Sequence, residues 1–457
     1  MATWAETLAE FTQALTFDAI PREVTESAKL RCLDILGIAL ASTVEDFAPA
    51  VLRVAESWGP GGECTVVGTK LTASPPLAIL VNGSLAHGLD YDDTHTPSIT
   101  HASAVVIPTA LALGESLGLD GRAVLTAAVA GYEAITRLGM AAPGGFHARG
   151  WHATAVCGTF AATLVAGKCL GLGRRQLTAA LGIAGSFASG VLEHLADGSW
   201  VKRIHPGWAG HSGALAAGLA RGGFTGPASI LEGRFGFYST FLDQPVDLGP
   251  RLATLGQEWE TLRVAFKPYP CCHYNHAYMD AAARLKREHG LAPGEIEEVE
   301  CLVPAGEVPI VCEPADVKRR PRTSYDAQFS LPFSVAVALL DAEVWVESYA
   351  PSRLSDPHLL ALAERVNYSV DPASRFPESF PGWVRIRLKD GRLLEAREPV
   401  NRGSPENPLP AEAIVAKFRR NAARILPGSR VALLEREVLA LDTSPDVRSL
   451  LALCRIP

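Results

Sequence analysis

The chain has 457 residues, 48% of them hydrophobic and 20% charged, with a formal net charge of −7. That balance buries a large core in two or three domains, and it speaks against nucleic acid as a partner, because phosphate binding needs a basic face. Aromatic residues make up only 7%, so the core must rest on Ala, Leu, Val and Ile, which favours closely packed helices over a β-sandwich.

In chain order, "MATWAETLAEFTQALTFDAIP" reads as an amphipathic helix and not as a signal peptide, since no basic segment leads into an apolar one. "PREVTESAKLRCLDILGIALA" and "GRAVLTAAVAGYEAITRLGMAA" carry apolar residues at helical spacing. "ATAVCGTFAATLVAGKCLGL" and "RRQLTAALGIAGSFASGVLE" are rich in Ala, Gly and Ser, as central, closely packed helices require. Thr94 to Gly114 lacks Asp, Glu, Lys and Arg, but His95, Pro97, His101 and Pro108 interrupt it, so a buried helix is expected there and a membrane span is not.

The texture changes near residue 266. A loop with Pro268 and Pro270 leads into a helix from about His276. "EIEEVECLVP" alternates with a period of two, placing Val299, Cys301 and Val303 on one face. In "WVRIRLKDGRLLEARE", Val384, Ile386 and Leu388 alternate with basic residues, and Asp390-Gly391 is a hairpin signal. "LPAEAIVAKFRRNAARILP" is helical again. The expected fold is mostly α: a large helical domain (1–265, completed by 401–457) with an inserted, smaller α+β lid domain (266–400).

Nine cysteines are scattered without a C-x-x-C pair, which fits free thiols in a reducing, cytoplasmic setting. Cys271 and Cys272 read as buried structural residues.

Four polar clusters interrupt the apolar texture. "HGLDYDDTHTPSITH" spans His87 to His101 and holds Asp90, Asp92, Asp93, Thr94 and His95. "GWHATAVCGT" holds His152. "DGSWVKRIHPGWAGHSG" holds Lys202, Arg203, His205 and His211, and "KPYPCCHYNHAYMD" holds Lys267, His273 and His276. The first could be a metal site, an acid/base site or a solvated loop. It lacks H-x-x-x-H and H-E-x-x-H spacing, so a metal is disfavoured. No glycine-rich loop has a dinucleotide or P-loop context, and there is no G-x-S-x-G elbow. What remains is acid/base work without a cofactor. Removing a proton next to a carboxylate builds negative charge, for which Lys202, Arg203 and Lys267 could supply fixed cations. His supplies base and acid near neutral pH. Tyr132 and Glu133, with Arg137, read as structural.

At these clusters the sequence resembles the MmgE/PrpD family. The likeness rests on "NGSLAHGLDYDDTH", "HASAVVIPTALALGE", "GYEAITRLG", "GWHATAVCGTFAA", "DGSWVKRIHPGWAGHSG", "FTGPASILEGRFGFY", "KPYPCCHYNHAYMDAA" and "YDAQFSLPFSVAVALL", in order along nearly the whole chain. The resemblance implies a helical domain with an α+β lid, cofactor-free chemistry on a small di- or tricarboxylate, and a homodimer. By motif, Asp90, Thr94, His101, His152, Lys202 and Lys267 match active-site positions of the decarboxylase branch, with His276 in the same motif as Lys267. Two departures stand out. The Thr94–His101 spacing is one residue longer, and Phe333 stands where decarboxylases and many dehydratases carry Tyr. Phe cannot donate a hydrogen bond.

The leading expectation is therefore a hydro-lyase of the 2-methylcitrate dehydratase type. His101 and His152 would share acid/base roles, with Asp90 and Lys202 also catalytic, and Thr94, Lys267, Arg203 and His276 would hold substrate. An epimerase of a substituted dicarboxylate such as iminodisuccinate, and a decarboxylase of a cis-aconitate-like acid, are the alternatives. A non-catalytic carboxylate binder is disfavoured, because binding alone would not need two histidines as well as the cations. Residues His87, Asp92, Asp93 and His95 are expected to be supporting or structural.

Overall fold

The computed structural model describes residues 2–59 and 61–456, and it is mostly helical. Its longer helices are α1 (Trp4–Ala14), α2 (Arg22–Ser42), α3 (Ala48–Trp58), α4 (Pro75–His87), α5 (Ser103–Leu117), α6 (Gly121–Met140), α7 (Ala153–Cys169), α8 (Arg174–Ala184) and α9 (His205–Arg221). Beyond them come α10 (His276–His289), α11 (Leu331–Leu340), α12 (Ala411–Ala422) and α13 (Gly428–Leu439). No helix among the described residues is long and apolar enough to cross a membrane.

The apolar residues fall into two main clusters. One gathers side chains from Ala5 to Val264 and again from Phe418 to Cys454. The other gathers Cys271 to Ala396. The chain thus returns to its first core after building a second, which is why α12 packs against α2.

Close helix approach needs small residues, and one crossing matters for the site. A side chain at Gly83 in α4 would meet the Gly207 Cα at 2.6 Å, and one at Gly207 in α9 would meet the Leu80 carbonyl at 2.1 Å. Glycine at both positions lets α9 lie on α4. The start of α9 is thereby pressed against the end of α4, bringing residues near 205 close to residues near 87.

The second core is backed by a four-stranded sheet, ordered β4 (Val366–Val370), β3 (Ile296–Val303), β5 (Gly382–Leu388), β6 (Leu393–Glu398) when the short β1 (Cys64–Thr65) and β2 (Thr72–Ala73) are counted first. β3 runs parallel to β4 and antiparallel to β5. Val299, Cys301 and Val303 are buried on one face of β3. Ile296 is buried too, although three residues before Val299; a register shift between Ile296 and Glu298 returns it to that face. Asp390-Gly391 turns the β5–β6 hairpin, with Gly391 at φ 88°. α10 and α11 cover the sheet's buried face.

Candidate active site

Helix α4 ends at His87, and three residues later Asp90 sits in the left-handed region at φ 48°, a conformation Asp tolerates better than most non-glycine residues. There its carboxylate meets two ammonium groups. Lys202 Nζ donates to Oδ1 at 2.5 Å, and Lys267 Nζ donates to Oδ2 at 2.9 Å and to the Asp90 carbonyl at 2.9 Å. All three side chains are buried. Burial by itself would raise the Asp90 pKa, but Lys202 and Lys267 outweigh it and hold the carboxyl well below the usual carboxylate range.

This cluster borders a narrow cavity of about 60 Å³. Asp90, Thr94, His101, His152 and Lys202 line it from one side, and Cys272, His273, Tyr274, Phe329 and Phe380 from the other. The wall therefore combines residues from 90–202 with Cys272, Tyr274, Phe329 and Phe380 of the second apolar cluster.

The histidines are held differently. His101 Nδ1 lies 2.7 Å from the Asp93 carbonyl, so it must donate there, and Nε2 keeps its lone pair. Asp93 is fixed in turn by Arg31 at 3.1 Å and by the Ser103 amide at 3.0 Å. His152 instead pairs its Nδ1 with His205 Nδ1 at 3.0 Å. Burial first, then Lys202 among the neighbouring charges, lowers the His101 pKa well below the ordinary value. Burial and then His205 do the same for His152. Both rings are therefore neutral near pH 7 and can accept a proton.

Behind them, His87 Nδ1 bonds Asp92 Oδ2 at 2.7 Å, while its Nε2 is buried without a partner. The ring centroids of His87, His101 and His152 lie within 4.9–5.9 Å of one another, with only His87 and His152 stacked. Each offers a ligand atom within 4.8 Å of the others. A tetrahedral zinc with bonds of ~2.0–2.1 Å holds its nitrogens roughly 3.4 Å apart. The three rings would have to close in, against the neighbouring Lys202 cation, to take such an ion.

Two expected substrate contacts are placed elsewhere. Arg203 follows Lys202 on a 3₁₀ turn (Trp200–Ile204), where neighbours project about 120° apart. Lys202 enters the cavity wall; Arg203 turns to Asp46 at 3.3 Å and lies over Phe47 and Tyr325. His276 is buried behind the wall, its Nε2 at 3.2 Å from the Cys271 carbonyl, and His273 takes the cavity position three residues earlier. Lys267 reaches the site only through Asp90. His95 is structural, tied to Ser98 at 2.8 Å and Glu260 at 3.1 Å.

Three wall histidines are not among the expected site residues: His147, His194 and His273, the last of which the sequence marks only as a member of the fourth polar cluster. His147 and His194 stand alone in "GGFHARG" and "LEHLAD", so no cluster marked them. Both His194 ring nitrogens and His147 Nδ1 are buried without a hydrogen-bond partner. Burial, then Lys202, takes the His194 pKa down to about 3. Buried polar atoms without partners are uncommon, and several around one cavity mark a place that takes a polar ligand or water. Phe333, in contrast, is fully buried in the second core beside Tyr349 and does not line the cavity.

A carboxylate gripped by two ammonium groups beside neutral histidines suits chemistry on a small polyacid: cations for its negative charge, imidazoles to move a proton. Comparisons with known proteins point the same way. Residues 6–248 match the model of the MmgE/PrpD N-terminal domain, and residues 269–443 match that of the C-terminal domain. A cis-aconitate decarboxylase of Aspergillus terreus (strain NIH 2624 / FGSC A1156) is 29% identical over 99% of this chain and 95% of its own length. A cis-aconitate decarboxylase of Homo sapiens is 28% identical over 99% and 94%. A cis-aconitate decarboxylase-like protein of Aspergillus oryzae (strain ATCC 42149 / RIB 40) is 26% identical over 95% and 93%. With both of its domain models matched across most of the sequence, the chain belongs to the MmgE/PrpD family.

Proposed function

We propose that this protein is a cofactor-independent lyase that decarboxylates an unsaturated tricarboxylate of the cis-aconitate kind. The observation that carries the reading is the Asp90 carboxylate held between Lys202 and Lys267 at a cavity walled by neutral His101 and His152. In this reaction a carboxylate on a saturated carbon leaves as carbon dioxide, and its bonding electrons shift the double bond towards that carbon. The far alkene carbon then takes up a proton, giving a methylene-substituted succinate. Lys202 would hold a carboxylate and the developing charge, Lys267 would act from behind Asp90 by fixing its carboxylate, Thr94 and Asp90 would position the substrate, and His152 would deliver the proton.

Elimination of water, the first expectation, is the second reading, because the same cations and imidazoles serve it. The curated relatives described above favour decarboxylation. The missing Tyr hydroxyl at Phe333 does not count against it, since that ring is outside the cavity wall.

A cavity of about 60 Å³ is too small for such a substrate; a six-carbon ring already needs about 150 Å³. The segment 266–400 would therefore act as a lid on the helical domain (1–265 with 401–457), lifting to admit substrate. The chain would work in the cytoplasm as a homodimer. On α9 and the turn before it, Ile204, Trp208, Leu215 and Leu219 form an exposed apolar stripe of the kind that marks an interface.

The test is proton NMR of the protein with cis-aconitate, citrate and 2-methylcitrate. Conversion of cis-aconitate to the methylene diacid supports decarboxylation. Formation of an alkene from the hydroxy acids alone supports dehydration. Inertness of all three with folded protein would overturn the lyase reading.

A further inference from the structure

His205 does not line the cavity, yet it is the one side chain hydrogen-bonded to the His152 ring, Nδ1 to Nδ1 at 3.0 Å, among the described residues. Two facing Nδ1 atoms can share only one proton: two N–H groups would collide and two lone pairs would repel. Around His205 stand His152, His194 with its ring 6.3 Å away, and Lys202. Burial, then Lys202, brings the His205 pKa down to about 4. Both rings are thus neutral near pH 7, and the tautomer of one dictates that of the other. When His205 donates, His152 carries its proton on Nε2, the edge left for the cavity. When His152 donates, that Nε2 is a lone pair and His205 carries its proton on its own Nε2. His205 itself does not line the cavity and keeps a small exposed edge, 5% of its surface. The pair therefore runs from the cavity wall to a ring behind it that keeps a small solvent-accessible edge.

We infer that His205 is a positioning and relay residue that delivers a solvent proton through His152 to the substrate carbon. This rests on the proposed proton delivery by His152. As carbon dioxide leaves, the electron pair at the alkene carbon takes the proton from His152 Nε2, breaking that N–H bond and forming the C–H bond. His205 Nδ1 passes its proton to His152 Nδ1, and His205 Nε2 takes one from water. Each ring ends neutral in its other tautomer, and the net transfer is one proton from solvent to carbon, balancing the carboxylate lost as carbon dioxide. The forward relay leaves a hydroxide outside. In the reset, water entering the emptied cavity gives a proton to His152 Nε2, His152 Nδ1 returns its proton to His205 Nδ1, and His205 Nε2 returns one to that hydroxide. The hydroxide left in the cavity departs with the released carbon dioxide as bicarbonate. His101, whose Nδ1 is fixed on the Asp93 carbonyl, has no such second path. The two cavity histidines are therefore not interchangeable.

The experiment has a part that needs no substrate. In the full-length protein labelled with ¹⁵N-histidine, a coupling across the hydrogen bond should link His152 Nδ1 to His205 Nδ1, and it should vanish in His205→Asn. Asn presents polar atoms where Nδ1 was, so it keeps a partner for His152 but cannot conduct a proton. In His205→Asn, kcat for cis-aconitate should fall roughly tenfold or more, with KM unchanged and a larger solvent deuterium isotope effect. Absence of the coupling in folded wild-type protein overturns the proposal, as does full-speed turnover by the folded variant. If wild-type protein leaves cis-aconitate untouched, the functional reading falls, and the coupling alone supports or overturns the shared-proton pair.

Discussion

The Glu133–Arg137 pair and the Asp90–Lys202–Lys267 cluster are both buried charge, and of these two only the second borders the site cavity. Glu133 and Arg137 pair at 2.8 Å on α6, both fully covered. Glu133 also accepts from the backbone amides of Glu260 and Thr261 at 3.1 and 2.9 Å and from the Thr261 hydroxyl at 2.7 Å. Its capacity is filled by the chain itself. The Asp90–Lys202–Lys267 cluster is as deeply buried, but it adjoins unpartnered histidine nitrogens and a cavity. Burial and charge are common to both. What separates them is unspent hydrogen-bonding capacity facing open space.

Several substitutions can break or sharpen that contrast. His101→Asn keeps a group near the Asp93 carbonyl but removes Nε2; turnover should fall by ~10²–10⁴, and a folded variant at wild-type speed would remove His101 from the chemistry. Lys202→Met should lower turnover by ~10²–10³ with the helical circular dichroism retained. Glu133→Ala should do the opposite. It leaves Arg137 buried without its carboxylate and should cost about 3–5 kcal/mol of stability, measured by urea unfolding, while each folded molecule turns over normally. A loss of turnover without loss of stability would erase the distinction between the clusters. Phe333→Tyr should cost about 1–3 kcal/mol by burying a hydroxyl without a made-to-fit partner, with no gain in rate; a faster enzyme would return that position to the site.

The smallest effect is one of pH. An ordinary histidine is half protonated near pH 6.5. For His101 and His152, burial and neighbouring cations put the change lower, so at pH 6 a free histidine is mostly charged while these remain neutral. Their ¹⁵N shifts should stay those of neutral imidazole from pH 7.5 through pH 6. Titration at or above pH 6.5 would contradict the neutral cavity.

The comparison also shows what a linear sequence carries. The helix periods, the β3 and β5 alternation and the Asp390-Gly391 hairpin were legible because each depends on neighbours a few residues apart. Asp90, Thr94, His101, His152 and Lys202 were legible because they cluster in polar islands within apolar helices. Arg203 points away from the cavity because neighbours on a 3₁₀ turn project about 120° apart, and sequence adjacency to Lys202 says nothing of it. His273 was passed over for His276, three positions on, because the two rings differ only in which faces the cavity. His147 and His194 reach the wall by long-range packing that no local pattern announces. His205 stood in plain view beside Lys202 and His152 in the motifs, but its role depends on a single Nδ1–Nδ1 contact.

The central claim is that this cavity exchanges a carboxylate for a proton on an unsaturated polyacid. It is tested most directly by incubating the protein with cis-aconitate in deuterated water and following the reaction by NMR. The account predicts a methylene diacid with one deuterium at the newly saturated carbon, formed with carbon dioxide in equal amount and suppressed in Lys202→Met. Folded protein that leaves cis-aconitate unchanged, or converts it equally well in Lys202→Met, would contradict it.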